Sequence, residues 1–150
     1  MKKFRFPLRP VAVLRAHREL RARETFAQSV HAYVAAEERL AAARARVAEL
    51  GRILFAGRSE RFLAADAASL FRVYRGECQA EMEAERDSIA AHEAMNLRRE
   101  EYLEANRHLK IVQKLEEKAR ASHRAEGQRV EQSALDEFAG YRAARRPVLT

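Results

Sequence analysis

The chain has 150 residues, of which 34% are charged and only 7% aromatic, with no tryptophan and a formal net charge of +7. Ala, Arg, Glu and Leu dominate, which excludes a large apolar core and points to long helices or coiled coil. The single cysteine, Cys78, excludes an intrachain disulfide and a cysteine metal site, and reads as a small apolar helix residue.

The opening "MKKFRFPLRPVAVL" starts basic and turns apolar, as a signal peptide does, but Arg9 and two prolines interrupt any apolar core and no small-residue cleavage site follows. Nothing approaches about 18 consecutive apolar residues, so no membrane span is expected and a cytoplasmic protein is. After Pro7 and Pro10 the next proline is Pro147, so no missing N–H or fixed ring forbids helix between Val11 and Arg146. Pro10 suits a first helical turn, where its N–H would be unpaired anyway.

The first helix, expected over about 8–56, carries a seven-residue beat: Phe26, Tyr33, Leu40, Val47, Leu54. Ser29, Ala36, Ala43 and Leu50 follow three residues behind, giving a coiled-coil seam whose second position is mostly small. Before Phe26 the beat slips, because Leu14 and Leu20 are out of phase, and a stutter or looser region is expected there.

A break is expected at about 57–66. Gly57 can end a helix in the left-handed conformation. Asp66 can cap the next helix, and Ser59 is a rival cap. The second helix, over about 67–144, has apolar residues at Leu70, Tyr74, Cys78, Met82, Ile89, Met95, Tyr102, Leu109, Val112, Leu135 and Phe138. Gly76, Gly127 and Gly140 each weaken it by about 1 kcal/mol relative to Ala.

The fold class is therefore all-α: one single domain, a two-helix antiparallel coiled-coil hairpin. At 1.5 Å per residue the helices span roughly 70 and 110 Å, so the second overhangs at its C-terminal end. Folding near residue 61 brings Leu54 opposite Leu70, Leu40 near Ala84, Phe26 near Met95 and Leu8 near Lys114. Beyond Lys114 no intrachain partner is expected. Leu135, Phe138 and Tyr141 lie in that overhang, either to bind another chain or as a frayed tail.

Charge is unevenly placed. Residues 1–30 hold eight Lys/Arg against two Glu, residues 77–104 nine Asp/Glu against three Arg, and residues 141–150 three Arg and no acid. This predicts cationic paired termini and an acidic middle. Net positive charge favours acidic proteins, nucleic acid or anionic membrane, or serves solubility alone.

Motifs for chemistry are absent. No phosphate-binding glycine loop, H-E-x-x-H or C-x-x-C occurs, and the five histidines never fall three or four residues apart, as a metal site on one helix face needs. The pairs Glu100/Glu101, Glu116/Glu117 and Asp136/Glu137 have no dry pocket to shift their pKa values on a two-helix rod. No enzyme activity, cofactor or metal is expected. Nucleic acid is an unlikely partner, since the aromatics follow the seam rather than the basic patches, although "RPVAVLRAHRELRARE" could grip phosphates.

Three segments in order, "KKFRFPLRPV", "AASLFRVYRGECQAEM" and "ALDEFAGYRAARRP", resemble the FliJ family of flagellar type III export proteins. Asp136-Glu137-Phe138-Ala139, followed by Arg142, Arg145 and Arg146, is the most specific piece. The resemblance implies an antiparallel coiled coil similar to the central stalk of rotary ATPases. It implies association with the hexameric export ATPase, promotion of its assembly and activity, contact with the membrane export gate, and help in recycling export chaperones. It places the protein at the cytoplasmic face of the flagellar export apparatus and gives it no catalysis of its own. By that resemblance the paired termini meet the ATPase, with Leu8, Leu14, Arg18, Asp136, Phe138, Arg142 and Arg145 as candidates. The hairpin end meets the gate, with Leu50, Leu54, Phe55, Phe71 and Tyr74. That second cluster also reads as an end-plug for the coiled coil. The alternatives to an export role are a basic coiled coil that binds nucleic acid non-specifically and a structural coiled coil that self-associates through its overhang.

Overall fold

The structure, a computed structural model, describes residues 3–57 and 64–145. It contains two helices, α1 (Arg9–Gly57) and α2 (Ala64–Ala144), arranged as an antiparallel helical hairpin in which α2 is the longer. Residues 3–6 belong to no helix or strand: the ring of Pro7 disfavours helical backbone at Phe6, and a turn at Pro7–Leu8 leads into α1 with Pro10 in its first turn. Gly57 is the last residue of α1, and no described glycine has a positive φ, so a left-handed cap is not what closes the helix among the described residues. Ser59 lies outside the described residues. Asp66 is the third residue of α2 rather than its cap, and its carboxylate lies in the first turn, where negative charge favours the positive end of the helix.

Chain contacts divide the protein into two compact units: residues 1–19 with 105–150, and residues 20–104. In the second of these the register is fixed by specific pairs. Tyr33 lies against His92 (ring centroids 5.2 Å), Ser88 donates its hydroxyl hydrogen bond to Glu37, and Arg46 pairs with Glu77 at 2.9 Å. Arg44 reaches Glu81 at 3.6 Å and Glu85 at 3.4 Å. Phe26 stacks on Tyr102 at 6.0 Å, one heptad beyond the expected Met95. The reason is side-chain direction. Side chains on a helix tend to lean toward its N-terminus, so partners in an antiparallel pair meet displaced from the level of their Cα positions.

The buried and half-buried positions of α1 recur at alternating steps of three and four residues from Ala12 to Leu54. Ala36, Leu40 and Ala43 are its best-buried apolar residues. The beat does not slip before Phe26. It continues in strict phase through Ala22, Glu19, Arg15 and Ala12, two of them charged, while Leu14 and Leu20 are exposed. Supercoiling keeps the phase set by the strong anchors, and apolar residues one position away simply face solvent.

The same holds in α2, where the seam runs in heptad phase from Ala67 to His123, broken only at the exposed Arg98. Met82 and Ile89, expected on the apolar face, are exposed, because they sit one position, about 100° of helix, past the seam residues Glu81 and Ser88. Glu77, Glu81 and Ser88 are tolerated there because Arg46, Arg44 and Glu37 of α1 meet them. Among the described residues no buried side-chain N or O lacks a hydrogen-bond partner.

This assignment predicts an order of mutational cost. Leu40→Ala should lose about 2–5 kcal/mol, whereas Leu14→Ala and Leu20→Ala should each stay within about 0.5 kcal/mol. Urea unfolding followed by helicity reads the difference, and a Leu14 cost equal to that of Leu40 would place the seam wrongly.

Candidate partner-binding surfaces

In the unit made of residues 1–19 and 105–150, pairing does not stop near Lys114 as expected. The non-helical residues ahead of α1 carry it further. Phe4 packs edge-on against His123, with ring centroids 5.5 Å apart, and the Arg120 guanidinium lies 5.3 Å from the Phe4 ring. Arg120 also donates to Glu116 at 2.7 Å, which holds the guanidinium in place over the ring. A shallow cleft of about 340 Å³ beside this contact is lined by Lys3, Phe4, Arg5, Phe6, Arg9, Glu116 and Arg120. Beyond the paired Arg120 and Glu116, three of its side chains, Lys3, Arg5 and Arg9, are cationic, so the cleft attracts anions. Sequence reasoning missed Phe4, because it ended the fold where helix ends. The available signal was an aromatic pair ahead of a proline that blocks helix but permits a strap.

Past His123 only Gly127 is half-buried, and every residue of 128–145 is exposed. Of the terminal candidates, Leu8, Leu14 and Arg18 are exposed beside the paired part, while Asp136, Phe138, Arg142 and Arg145 lie on this overhang. The structure therefore does not gather the seven into one patch. Asp136 is about 20 Å beyond His123 along the helix. Asp136 accepts a hydrogen bond from the Gln132 side-chain amide at 3.0 Å, and the Arg142 guanidinium lies 6.0 Å from the Phe138 ring.

Phase separates the overhang from the seam. Seam positions beyond His123 would be Glu126, Val130, Ser133, Glu137 and Gly140, which form a poor apolar face. Ala134, Leu135, Phe138 and Tyr141 lie to one side of that line, and Phe138 and Tyr141 are 63% and 72% exposed. Their face is thus not a leftover of intrachain pairing. It is an aromatic face with arginines at its C-terminal end, the composition that dominates binding energy at protein interfaces.

In the unit of residues 20–104, the hairpin-end candidates divide. Leu50, Leu54 and Tyr74 are half-buried at seam positions, while Phe55 (76%) and Phe71 (50%) face solvent together with Ile53 and Val73. The Tyr74 phenol is held above its ordinary pKa, first by a hydrogen bond with the Cys78 side chain, then by that group's charge, by burial and by the Glu81 carboxylate. Cys78 is half-buried.

Among the described residues no group of three or more His, Cys, Asp or Glu is placed to hold a metal ion, and no helix is long and apolar enough to cross a membrane.

The strap generates a local prediction. Phe4→Ala should leave bulk unfolding nearly unchanged, since an exposed cation–π contact is worth about 0.5–1 kcal/mol. Amide exchange should rise at residues 119–127 alone. Unchanged exchange there would mean the strap does not cover α2.

Among protein families, the model FliJ, described as Flagellar FliJ protein, matches residues 4–147. No curated protein and no solved structure matches the chain.

Proposed function

We propose that this chain, which belongs to the FliJ family, acts as the stalk-like, non-enzymatic subunit of the hexameric flagellar export ATPase. Family membership makes it a flagellar export-related coiled-coil protein. The finer reading is that it enters the ATPase ring, promotes assembly and hydrolysis, and links the ring to the export gate and to export chaperones at the cytoplasmic face of the apparatus.

The observation that carries this reading is the overhang. A lone helix is about 10–12 Å across, narrow enough to lie on the axis of a ring. It presents Leu135, Phe138 and Tyr141 on a face its own chain leaves uncovered. Arg142 and Arg145 beside that face suit acidic rims on a partner. The exposed Phe55 and Phe71 give the other unit an apolar contact of its own for the gate. The cationic cleft at Lys3, Arg5 and Arg9 supports a second reading, non-specific nucleic acid binding. Phosphate binding would show a steep fall of affinity with salt.

The hydrolysis rate of the export ATPase, measured with and without this chain across ATPase concentrations, tests the proposal. Stimulation is expected, with hexamer formation shifted to lower concentration. Phe138→Asp should remove the stimulation at unchanged melting temperature, weakening association by about 30-fold or more, as loss of an aromatic hot spot does. No stimulation by the wild-type chain would sink the reading. A lowered melting temperature in Phe138→Asp would show instead that the tail packs within its own chain.

A further inference from the structure

The first helix has a second apolar line that the hairpin does not use. Leu20, Ala27, Val34, Ala41, Ala48 and Phe55 recur at strict seven-residue steps, each one position past the seam. All six are exposed. A seven-residue repeat follows the supercoil of α1 along its length, so what fits it is another helix.

The chain itself contains a helix face that matches part of this line. On α1, Glu38, Ala41, Ala45, Ala48 and Arg52 follow one another at steps of three, four, three and four residues. On the overhang, Glu131, Ala134, Phe138, Tyr141 and Arg145 follow at the same steps. Each set lies on one face of its helix, with Arg145 in the turn just past Ala144, its N–H donating to the Tyr141 carbonyl at 3.3 Å; all ten residues are exposed, and each set spans about 21 Å. Each is an apolar patch with an acid at its N-terminal end and a base at its C-terminal end. One patch is all alanine and the other carries two large rings, so they differ in size where they agree in spacing.

We infer that the overhang of one copy docks antiparallel on this face of α1 in a second copy. Antiparallel stacking places Phe138 over Ala45, between Ala41 and Ala48, where small side chains leave room for the ring. It brings Glu131 to Arg52 and Arg145 to Glu38. Parallel stacking would set Glu on Glu and Arg on Arg, and like charges face to face oppose it. Arg52 already pairs with Glu49 on its own helix, but an exposed pair of this kind contributes little and exchanges readily. The docked state covers the aromatic face that the Proposed function assigns to the ATPase, so the same face serves both partners in turn. The inference concerns the chain alone and stands whether or not the ATPase reading does.

Sedimentation equilibrium of the full chain without any partner tests it. The expected result is a mass that rises with concentration above that of one chain. Phe138→Asp and Ala45→Glu, both at exposed positions, should each return the chain to a monomer with unchanged helicity by circular dichroism. Glu38→Arg should weaken association by about tenfold through the new like-charge contact, and adding Arg145→Glu to it should restore the wild-type value. A monomer at every concentration overturns the inference. So does an association that Phe138→Asp and Ala45→Glu leave unchanged, or one that the Glu38→Arg, Arg145→Glu exchange fails to restore.

Discussion

Everything in this protein hangs on keeping two helices in one seven-residue phase along a seam that is thin. Among the described residues the best-buried apolar side chains are Ala36, Leu40, Ala43 and Val112, and no large side chain is fully buried. Small residues let the helices approach, and many modest dispersion contacts replace a few large ones. Polar groups then set the register. Ser88 meets Glu37, Glu77 meets Arg46 and Glu81 meets Arg44. A slip by one heptad would move each of these groups away from its partner and leave part-buried polar atoms unpaired, which costs more than the pairs themselves contribute. The exposed ion pairs add little stability and much specificity.

That phase also decides what the protein can offer to others. Residues in step with the seam are consumed by the hairpin, and apolar residues out of step are left on the outside. Leu20, Val34, Phe55, Met82, Ile89 and Phe138 are all of the second kind. Because α2 outlasts the strap that covers it to His123, every residue of 128–145 is exposed, and their aromatic face lies beside the seam line rather than on it. Where such out-of-step residues form a contiguous aromatic face, as on the last turns of α2, they offer a contact surface.

Much of this was legible in the sequence. The beat of Phe26, Tyr33, Leu40, Val47 and Leu54, the break after Gly57 and the unequal helix lengths gave the hairpin and its overhang. Periodicity misled where apolar residues and seam positions part company. Leu14 looked like a slipped beat and Met82 and Ile89 like core, because a single sequence shows which residues are apolar and not which partner side chains meet them. Glu81 and Ser88 hold seam positions only because Arg44 and Glu37 come from the other helix. The Phe4 strap was hidden for a different reason: it has no repeat, and its contact with His123 joins residues far apart in sequence. For the candidate surfaces, helix lengths already place Phe138 on the overhang, and the FliJ likeness adds Arg142. At the hairpin end Leu54 is on the beat and Tyr74 on the helical spacing of α2, while Phe55 and Phe71 are on neither, which matches the half-buried pair and the exposed one.

The central claim is that the last turns of α2 are helical, uncovered and waiting for a partner. Hydrogen–deuterium exchange on the dilute chain, alone and then with the export ATPase, addresses it directly. The account predicts fast exchange at residues 128–145 in the chain alone, slow exchange at the seam around Leu40 and Val112, and strong new protection of residues 128–145 when the ATPase is added. Protection of that segment already in the dilute chain, or protection by the ATPase that falls elsewhere and leaves it exchanging freely, would contradict the account.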